Sequence, residues 1–352
     1  MPKTSESQNA PHYAEAGVDI GANDRLIPRY KALAGQATRP EVMGGVGPFS
    51  GLFDLSAYNE PVLVASTDGV GTKVLIARMM GRFGTVGQDL VNHCVDDILT
   101  AGAQPLFFLD YLANSGLTED EKVEIVQGVA TACRETGTAL LGGETADMPD
   151  VYRDGDFDLA GTIVGIVEKG RQITGEHIRP GDILLGLPST GLHTNGYSLV
   201  RSIFDLHGSD PVREAGVLQD ARAELGESLG DALLHPHRCY WPLVEPALPR
   251  LKGIAHITGG GIFGNLVRIL PDGTEAVVRQ GSWPEPPVFA LIRRTGEISD
   301  DEMAHVFNVG VGLIVAVDPQ DVGSIKDAVP EFLEVGEVVA GQGGGSVRIV
   351  RP

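Results

Sequence analysis

At 352 residues the chain is long for one domain, and two domains of roughly 170 residues each are the default expectation. Its 47 acidic residues against 27 basic ones give a formal net charge of −20 with no basic stretch to offset it, which argues against nucleic acid and anionic membranes as partners. No run approaches the ~18 apolar residues of a membrane span, the polar N-terminus MPKTSESQNAPHY lacks the apolar core of a secretory signal, and three cysteines without metal spacing (Cys94, Cys133, Cys239) suit a reducing cytoplasm.

Residues 1–12 have weak apolar periodicity and read as a flexible extension. From about 61 to 168, extended apolar runs (62–66, 105–112, 138–142, 157–167) alternate with helical patterns (about 85–102 and 118–136). The first of these runs leads directly into TDGVGTK at 67–73, the most informative stretch of the chain. Asp68 offers a hard oxygen to Mg²⁺, Gly69 and Gly71 allow the backbone to approach a polyphosphate, Thr72 adds a hydroxyl and Lys73 a point charge. A tight strand-to-helix turn that happens to carry charge is the alternative.

In DLVNHCVDDILTAG (89–102), Leu90, Val91, Cys94, Val95, Ile98 and Leu99 fill one half of a helical wheel. Asp97 falls just outside that arc, placed for a partly buried metal role or for a paired boundary carboxylate, while Asp96 is expected to point further into solvent. GGETADMPDVY (142–152) follows an apolar strand and supplies the carboxylates of Glu144 and Asp147 and the hydroxyl of Thr145, or else a polar turn punctuated by Pro149.

Lys169-Gly170-Arg171 and the segment from Gly175 to Gly181 read as a junction, followed by a short strand at 183–187 and a helix from about 196. STGLHTNGYSLVR (189–201) puts His193 and Asn195 just ahead of that helix, where backbone donors favour an anion and a histidine can hydrogen-bond or protonate a developing negative oxygen. An Asn N-cap beside an incidental His is the plainer reading. Residues 209–232 read as a surface insertion, and His235-Pro236-His237 as a surface turn. TGGGIFGNL satisfies G-x-G-x-x-G through Gly259, Gly261 and Gly264. It lies deep in the chain and position 280 is Gln, so a phosphate-facing glycine loop fits better than a dinucleotide fold. There is no Gly-Lys dipeptide, which excludes Walker A. Pattern alone supports α/β or α+β in two domains.

Taken in order, AGVDI (16–20), RPEVMGGVG (39–47), TDGVGTK (67–73), Cys94-Val95-Asp96-Asp97, PLFFLDY (105–111), GGETADMP (142–149), GLHTNGYSLVR (191–201), HITGGGIFGN (256–265) and FNVGVGL (307–313) closely resemble the phosphoribosylformylglycinamidine cyclo-ligase family, the aminoimidazole ribonucleotide synthetases, from about residue 13 to the C-terminus. Selenophosphate synthetase uses a reactive Cys or selenocysteine near its N-terminal glycine loop, whereas the first Cys here is Cys94. Formylglycinamidine synthetase is much longer, and thiamine-monophosphate kinase does not explain HTNGYSLVR. A non-catalytic nucleotide-binding scaffold does not explain retention of both aspartates, GGET and His193.

The resemblance implies a two-domain α+β fold, neither Rossmann nor P-loop: an ATP-binding and dimerisation domain at 13–170 and an α/β sandwich domain at 171–352. It implies a homodimer whose N-terminal halves share a β-barrel, with ATP in a cleft near that interface and a small-molecule substrate, formylglycinamidine ribonucleotide. By this resemblance Asp68 and Asp97 hold Mg²⁺ against the triphosphate, and Thr67, Gly69, Gly71 and Thr72 border the nucleotide. Gly44, Gly45 and Gly47 form a mobile loop over it, Lys31 contacts its phosphates, and Lys73 and His193 join the aspartates in catalysis. Glu144, Thr145 and Asp147 sit where substrate or a second metal binds. His193 and Asn195, with Gly259, Gly260 and Gly261, suit the substrate's amide and phosphate.

Overall fold

The computed structural model describes residues 20–45 and 48–351, so Gly47 and the extension at 1–12 lie outside the described residues. In chain order, helix α1 (Ile20–Ala34) precedes a two-residue pair, β1 (Val42–Met43) and β2 (Leu52–Phe53). Then come β3 (Pro61–Gly69), α2 (Lys73–Met80), α3 (Gly84–Leu99), β4 (Gln104–Asn114), α4 (Glu119–Glu135), β5 (Ala139–Asp147) and β6 (Phe157–Glu168). After the junction follow β7 (Ile183–Pro188), α5 (Tyr197–Ile203), α6 (Pro211–Gln219), β8 (Ala221–Arg222), β9 (Glu227–Ser228), α7 (Leu229–Leu234) and α8 (Trp241–Val244). The chain closes with β10 (Leu251–His256), α9 (Gly261–Leu266), β11 (Thr274–Arg279), α10 (Pro287–Gly296), α11 (Asp300–Val306), β12 (Val311–Val317), α12 (Val322–Ala328), β13 (Leu333–Ala340) and β14 (Ser346–Val350).

Two sheets organise these elements. The first has the order β3-β6-β4-β5, antiparallel except for the parallel β4–β5 pair. The second has the order β10-β12-β7-β13-β11-β14, antiparallel except for β11–β14. Its strand β12, VGLIVAV, is buried at every position, as expected for an unbroken apolar run covered on both faces. Strand β3 instead alternates exposed and part-buried residues because only one face of the first sheet carries α3. Its other face leaves Leu63 55% exposed, with Leu109 and Tyr111 also open.

Helix α4 starts at a capping box, with Thr118 Oγ1 accepting from the Glu121 amide and the Glu121 carboxylate accepting from the Thr118 amide. It lies against α3 so closely that a Cβ added to Gly128 would sit 2.0 Å from the Gly84 carbonyl oxygen. This fixes the height of α3 above the sheet, and α3 carries much of the site.

The segment at 209–232 is not a surface insertion. Leu218 and Leu229 are fully buried, and α6 and α7 pack on α2 of the first half, with Gly230 against Met80. The apolar signal was cut into two short helices and a hairpin, none long enough to display a period.

Gly128→Ala is expected to destabilise the protein by about 1–3 kcal/mol through overpacking against backbone. Gly216→Ala, in exposed helix with nothing within 4 Å, is expected to be neutral or stabilising by up to about 1 kcal/mol. Denaturant unfolding of both variants measures the contrast.

Candidate active site

The site forms where the two halves meet, and strand alternation decides which side chains reach it. Ser66 Oγ donates to Asp97 Oδ2 at 2.9 Å and Asp68 Oδ2 lies 2.9 Å from His93 Nε2, so positions 66 and 68 face α3. Thr67 therefore faces the open side of the sheet, where its hydroxyl meets that of Thr162 at 2.8 Å. From the second half, β10 ends in His256, whose Nδ1 is 2.9 Å from Asp97 Oδ1. His93 Nδ1 lies 2.7 Å from Thr194 Oγ1. Each carboxylate of the pair Asp68 and Asp97 is thus held by a buried histidine, while the carboxylates themselves stay 43% and 26% exposed.

Electrostatics follow from this pairing. Burial pushes Asp97 up, but hydrogen bonding and charge from His256, the charge of His93 and the bond from Ser66 outweigh it, so its carboxyl ends below the ordinary value. Asp68 likewise ends below, with His93 and the Gly69 amide overcoming burial. His93 ends above the ordinary imidazole value because Asp68 and Asp97 outweigh its desolvation. Two anionic carboxylates, partly open beside a glycine turn, are the donor chemistry of Mg²⁺, which takes one or two carboxylates and completes its shell with phosphate oxygens and water. These residues fit that ion.

Lys73 requires a correction. Its side chain and that of Asp89 are both 0% exposed, with Nζ 2.8 Å from the Asp89 carboxylate and donating to the carbonyls of His235 (2.8 Å) and His193 (3.1 Å). It holds no charge toward a ligand; it fastens the loop that carries His193, a residue strained at φ 61°. Tyr197 Oη grips the same His193 carbonyl at 3.1 Å. The His193 ring is itself enclosed. It stacks on His237 with centroids 4.1 Å apart, Nε2 accepts from the Thr190 amide, and burial keeps it well below the ordinary imidazole value. Gly312 makes room for it, since a Cβ there would lie 2.8 Å from His193 Cε1 and 2.1 Å from Tyr240 Oη. A neutral, enclosed imidazole is not a proton donor to the cleft in this conformation.

Two further expectations fail nearby. Asp96 does not point to solvent: it is fully buried, its Oδ1 accepts from the Tyr240 amide at 2.7 Å, and desolvation raises it well above the ordinary carboxyl value. His235-Pro236-His237 is not a plain surface turn, because His237 is buried against α3 and its amide donates to Asp89 at 2.6 Å. The second half covers the side of α3 that a single-layer wheel leaves to water. Asn195 remains part-buried beside the Gly259–Gly260–Gly261 turn, where a Cβ on Gly259 would sit 3.2 Å from Asn195 Oδ1. Thr72 Oγ1 meets Ser198 Oγ at 3.2 Å, joining the Gly69–Gly71 turn to the start of α5.

The remaining expected residues gather elsewhere. Lys31, Gly45, Glu144 and Thr145 line a cavity of about 1220 Å³ between α1, the β1–β2 turn and the open face of the first sheet, and Gly44 adjoins it. Because β3 and β5 occupy opposite edges, three strand spacings, about 14 Å, separate the backbones of Glu144 and Thr145 from that of Asp68. Asp147 is engaged by the buried Lys122 at 2.5 Å. Asp110, pushed up to about 7 by burial and by the charge of Glu144, also lines the cavity and takes the place a Cβ would have on Gly143. The sequence reading missed Asp110, although it lies inside PLFFLDY, and missed His93, Thr194 and His256, each adjacent to a motif residue. The spacing Gly226-Glu227-Ser228-Leu229-Gly230 matches G-x-S-x-G, but Ser228 is the N-cap of α7 and bonds Asp231.

Lys73→Met is expected to cost about 3–5 kcal/mol because it strands the buried Asp89 charge. Lys73→Met/Asp89→Leu should recover a large part of that loss, and thermal or denaturant unfolding of the single and double variants reads both.

Residues 52–167 match the AIR synthase related protein N-terminal domain and residues 179–348 the C-terminal domain of the same name. The phosphoribosylformylglycinamidine cyclo-ligase of Myxococcus xanthus (strain DK1622) is 50% identical over 340 residues, covering 94% of this chain and 96% of the relative. The fold is similar to thiamine-monophosphate kinase from Stenotrophomonas maltophilia K279a (TM-score 0.64, 18% identity, 92% of this chain and 94% of that one). It is also similar to the hydrogenase maturation protein HypE in complex with ATP (TM-score 0.65, 16% identity, 94% and 91%). With both domains matched in order and half of the residues shared over nearly the whole length, the chain belongs to the AIR synthase related family, in its phosphoribosylformylglycinamidine cyclo-ligase branch.

Proposed function

We propose that this chain closes the imidazole ring of purine biosynthesis, converting formylglycinamidine ribonucleotide and ATP to aminoimidazole ribonucleotide, ADP and phosphate. The observation that carries the reading is the 50% identity to a cyclo-ligase across 94% of the chain. The histidine-held carboxylates Asp68 and Asp97 agree with it, as does the ATP complex of the similarly folded HypE.

An amide-type oxygen is a poor leaving group, so ring closure requires its conversion to a phosphate ester. The formyl oxygen attacks the γ-phosphorus and ADP departs; the amidine-side nitrogen then attacks the formyl carbon, the C–O bond breaks with loss of phosphate, and the nitrogen's proton passes to solvent. Phosphoryl transfer is mainly positioning and charge neutralisation. Mg²⁺ bound with the triphosphate supplies that neutralisation. Asp68 and Asp97 would hold it, their geometry set by His93, His256 and Ser66. Gly69, Gly71 and Thr72 offer backbone and hydroxyl groups to phosphate oxygens. Asn195 and the Gly259–Gly261 turn suit the substrate, and Lys73 and His193 serve as positioning residues.

Lys31, Gly45, Glu144, Thr145 and Asp110 line the cavity on the open sheet face, Gly44 adjoins it in sequence, and Thr67 faces the same side of the sheet. We assign that face to a homodimer whose paired first sheets form a shared barrel, with the nucleotide near that interface. The apolar exposure of Leu63, Leu109, Leu52 and Met43 supports this pairing. Residues 13–170 and 171–352 are the corresponding domains. No described helix is long and apolar enough to cross a membrane; the phosphorylated metabolites of the proposed reaction support a cytoplasmic location.

Purified protein with Mg-ATP should release ADP only when formylglycinamidine ribonucleotide is present, with one aminoimidazole formed per ADP. Asp68→Asn should abolish that turnover with unfolding behaviour preserved, and near-normal activity in this variant removes the metal role. Leu63→Arg places charge on the pairing face and should convert a dimer to a monomer in light scattering; an unchanged mass would rule out this face as the interface.

A further inference from the structure

Beside the oxygen site lies a second cluster of different chemistry. His237 Nε2 and His256 Nε2 are 3.0 Å apart, and Asp96 Oδ2 is 3.6 Å from His237 Nε2. All three residues are buried, and one donor atom from each falls within 4.8 Å of the others. Asp96 Oδ2 is enclosed without a hydrogen-bond partner, while Oδ1 is already taken by the Tyr240 amide.

From this we infer that Asp96, His237 and His256 form a site for one zinc-class divalent transition-metal ion, distinct from the oxygen-donor position at Asp68 and Asp97.

Ligands about 2.0–2.1 Å from a tetrahedral zinc lie roughly 3.3 Å from one another, and the observed 3.0 Å and 3.6 Å bracket that separation. The supporting contacts are those of a metal centre. His256 donates Nδ1–H to Asp97, so its Nε2 is left as a lone pair aimed at His237, the carboxylate–histidine–metal arrangement. Without an ion, a single proton must be shared between two facing imidazole nitrogens while a buried carboxylate oxygen goes unpaired. An ion accounts for all three donor atoms at once. Two nitrogens and one oxygen select a zinc-class ion over Mg²⁺. The three ligands come from α3, the 235–240 segment and β10, so the ion ties the two halves together and fixes the His256 tautomer that orients Asp97.

The test is cobalt titration of the chelator-stripped full-length protein, followed by optical absorption. The expected result is one Co²⁺ per chain with the intense d–d bands of four-coordinate ligation, displaced by Zn²⁺. Affinity should fall more than about 100-fold, beyond the cost of losing a supporting contact, in both His237→Gln and Asp96→Asn. Sub-stoichiometric binding to the wild type, or unchanged affinity in folded variants, overturns the site. If the variants do not fold, X-ray absorption of the zinc-loaded wild type decides. Two imidazole nitrogens with an oxygen neighbour support the assignment, and an all-oxygen shell contradicts it.

Discussion

One buried ion pair sets the geometry on which the rest of the site depends. The Lys73 ammonium, wholly enclosed, joins Asp89 of α3 to the carbonyls of His193 and His235. Asp89 in turn accepts from the His237 amide. A glycine turn of the first half, its main helix and two loops of the second half are thereby fixed to a single charge. Such a pair is costly to desolvate and more costly to break, so it tolerates only one relative placement of these elements.

From that fixed point the polar groups grade outward. Asp89 and Asp96 are sealed, the four histidines His93, His193, His237 and His256 form a buried middle layer, and Asp68 and Asp97 reach the opening with part of their surface free. The middle layer holds the outer carboxylates ionised and oriented, because each accepts from a histidine whose other nitrogen is engaged within the protein. Chemistry that relies on positioned negative charge for a metal–phosphate complex suits this arrangement, since little has to move when the ligands bind.

Much of this was legible before the fold was known, and the failures share a cause. The extended runs at 62–66, 105–112, 138–142 and 157–167 and the helices between them announce themselves through periodicity, and Asp68 stands out because its strand ends in a glycine turn. On the wheel Asp97 falls just outside the apolar arc, beside Leu90 and Cys94, and was thereby set apart from Asp96. Asp96 was misread because a wheel assumes one buried face, whereas α3 is clasped between the sheet and the Tyr240 segment. Lys73 was misread for the same reason: local spacing cannot reveal that Asp89 and two carbonyls from 120 and more residues away surround its ammonium. His256 opens the motif HITGGGIFGN, yet neither it nor His237 shows its role locally, since that role arises only when the second sheet delivers β10 beside α3.

The fold is shared with kinases and maturation proteins at under 20% identity, so fold alone does not choose the reaction; the chemistry of the activated oxygen does. The most direct measurement is isotopic. Formylglycinamidine ribonucleotide labelled with ¹⁸O at the formyl oxygen is converted under single-turnover conditions, and the released phosphate is analysed by ³¹P NMR. Phosphorylation of the formyl oxygen predicts one ¹⁸O in each phosphate. Label appearing in water, with unlabelled phosphate, would contradict it.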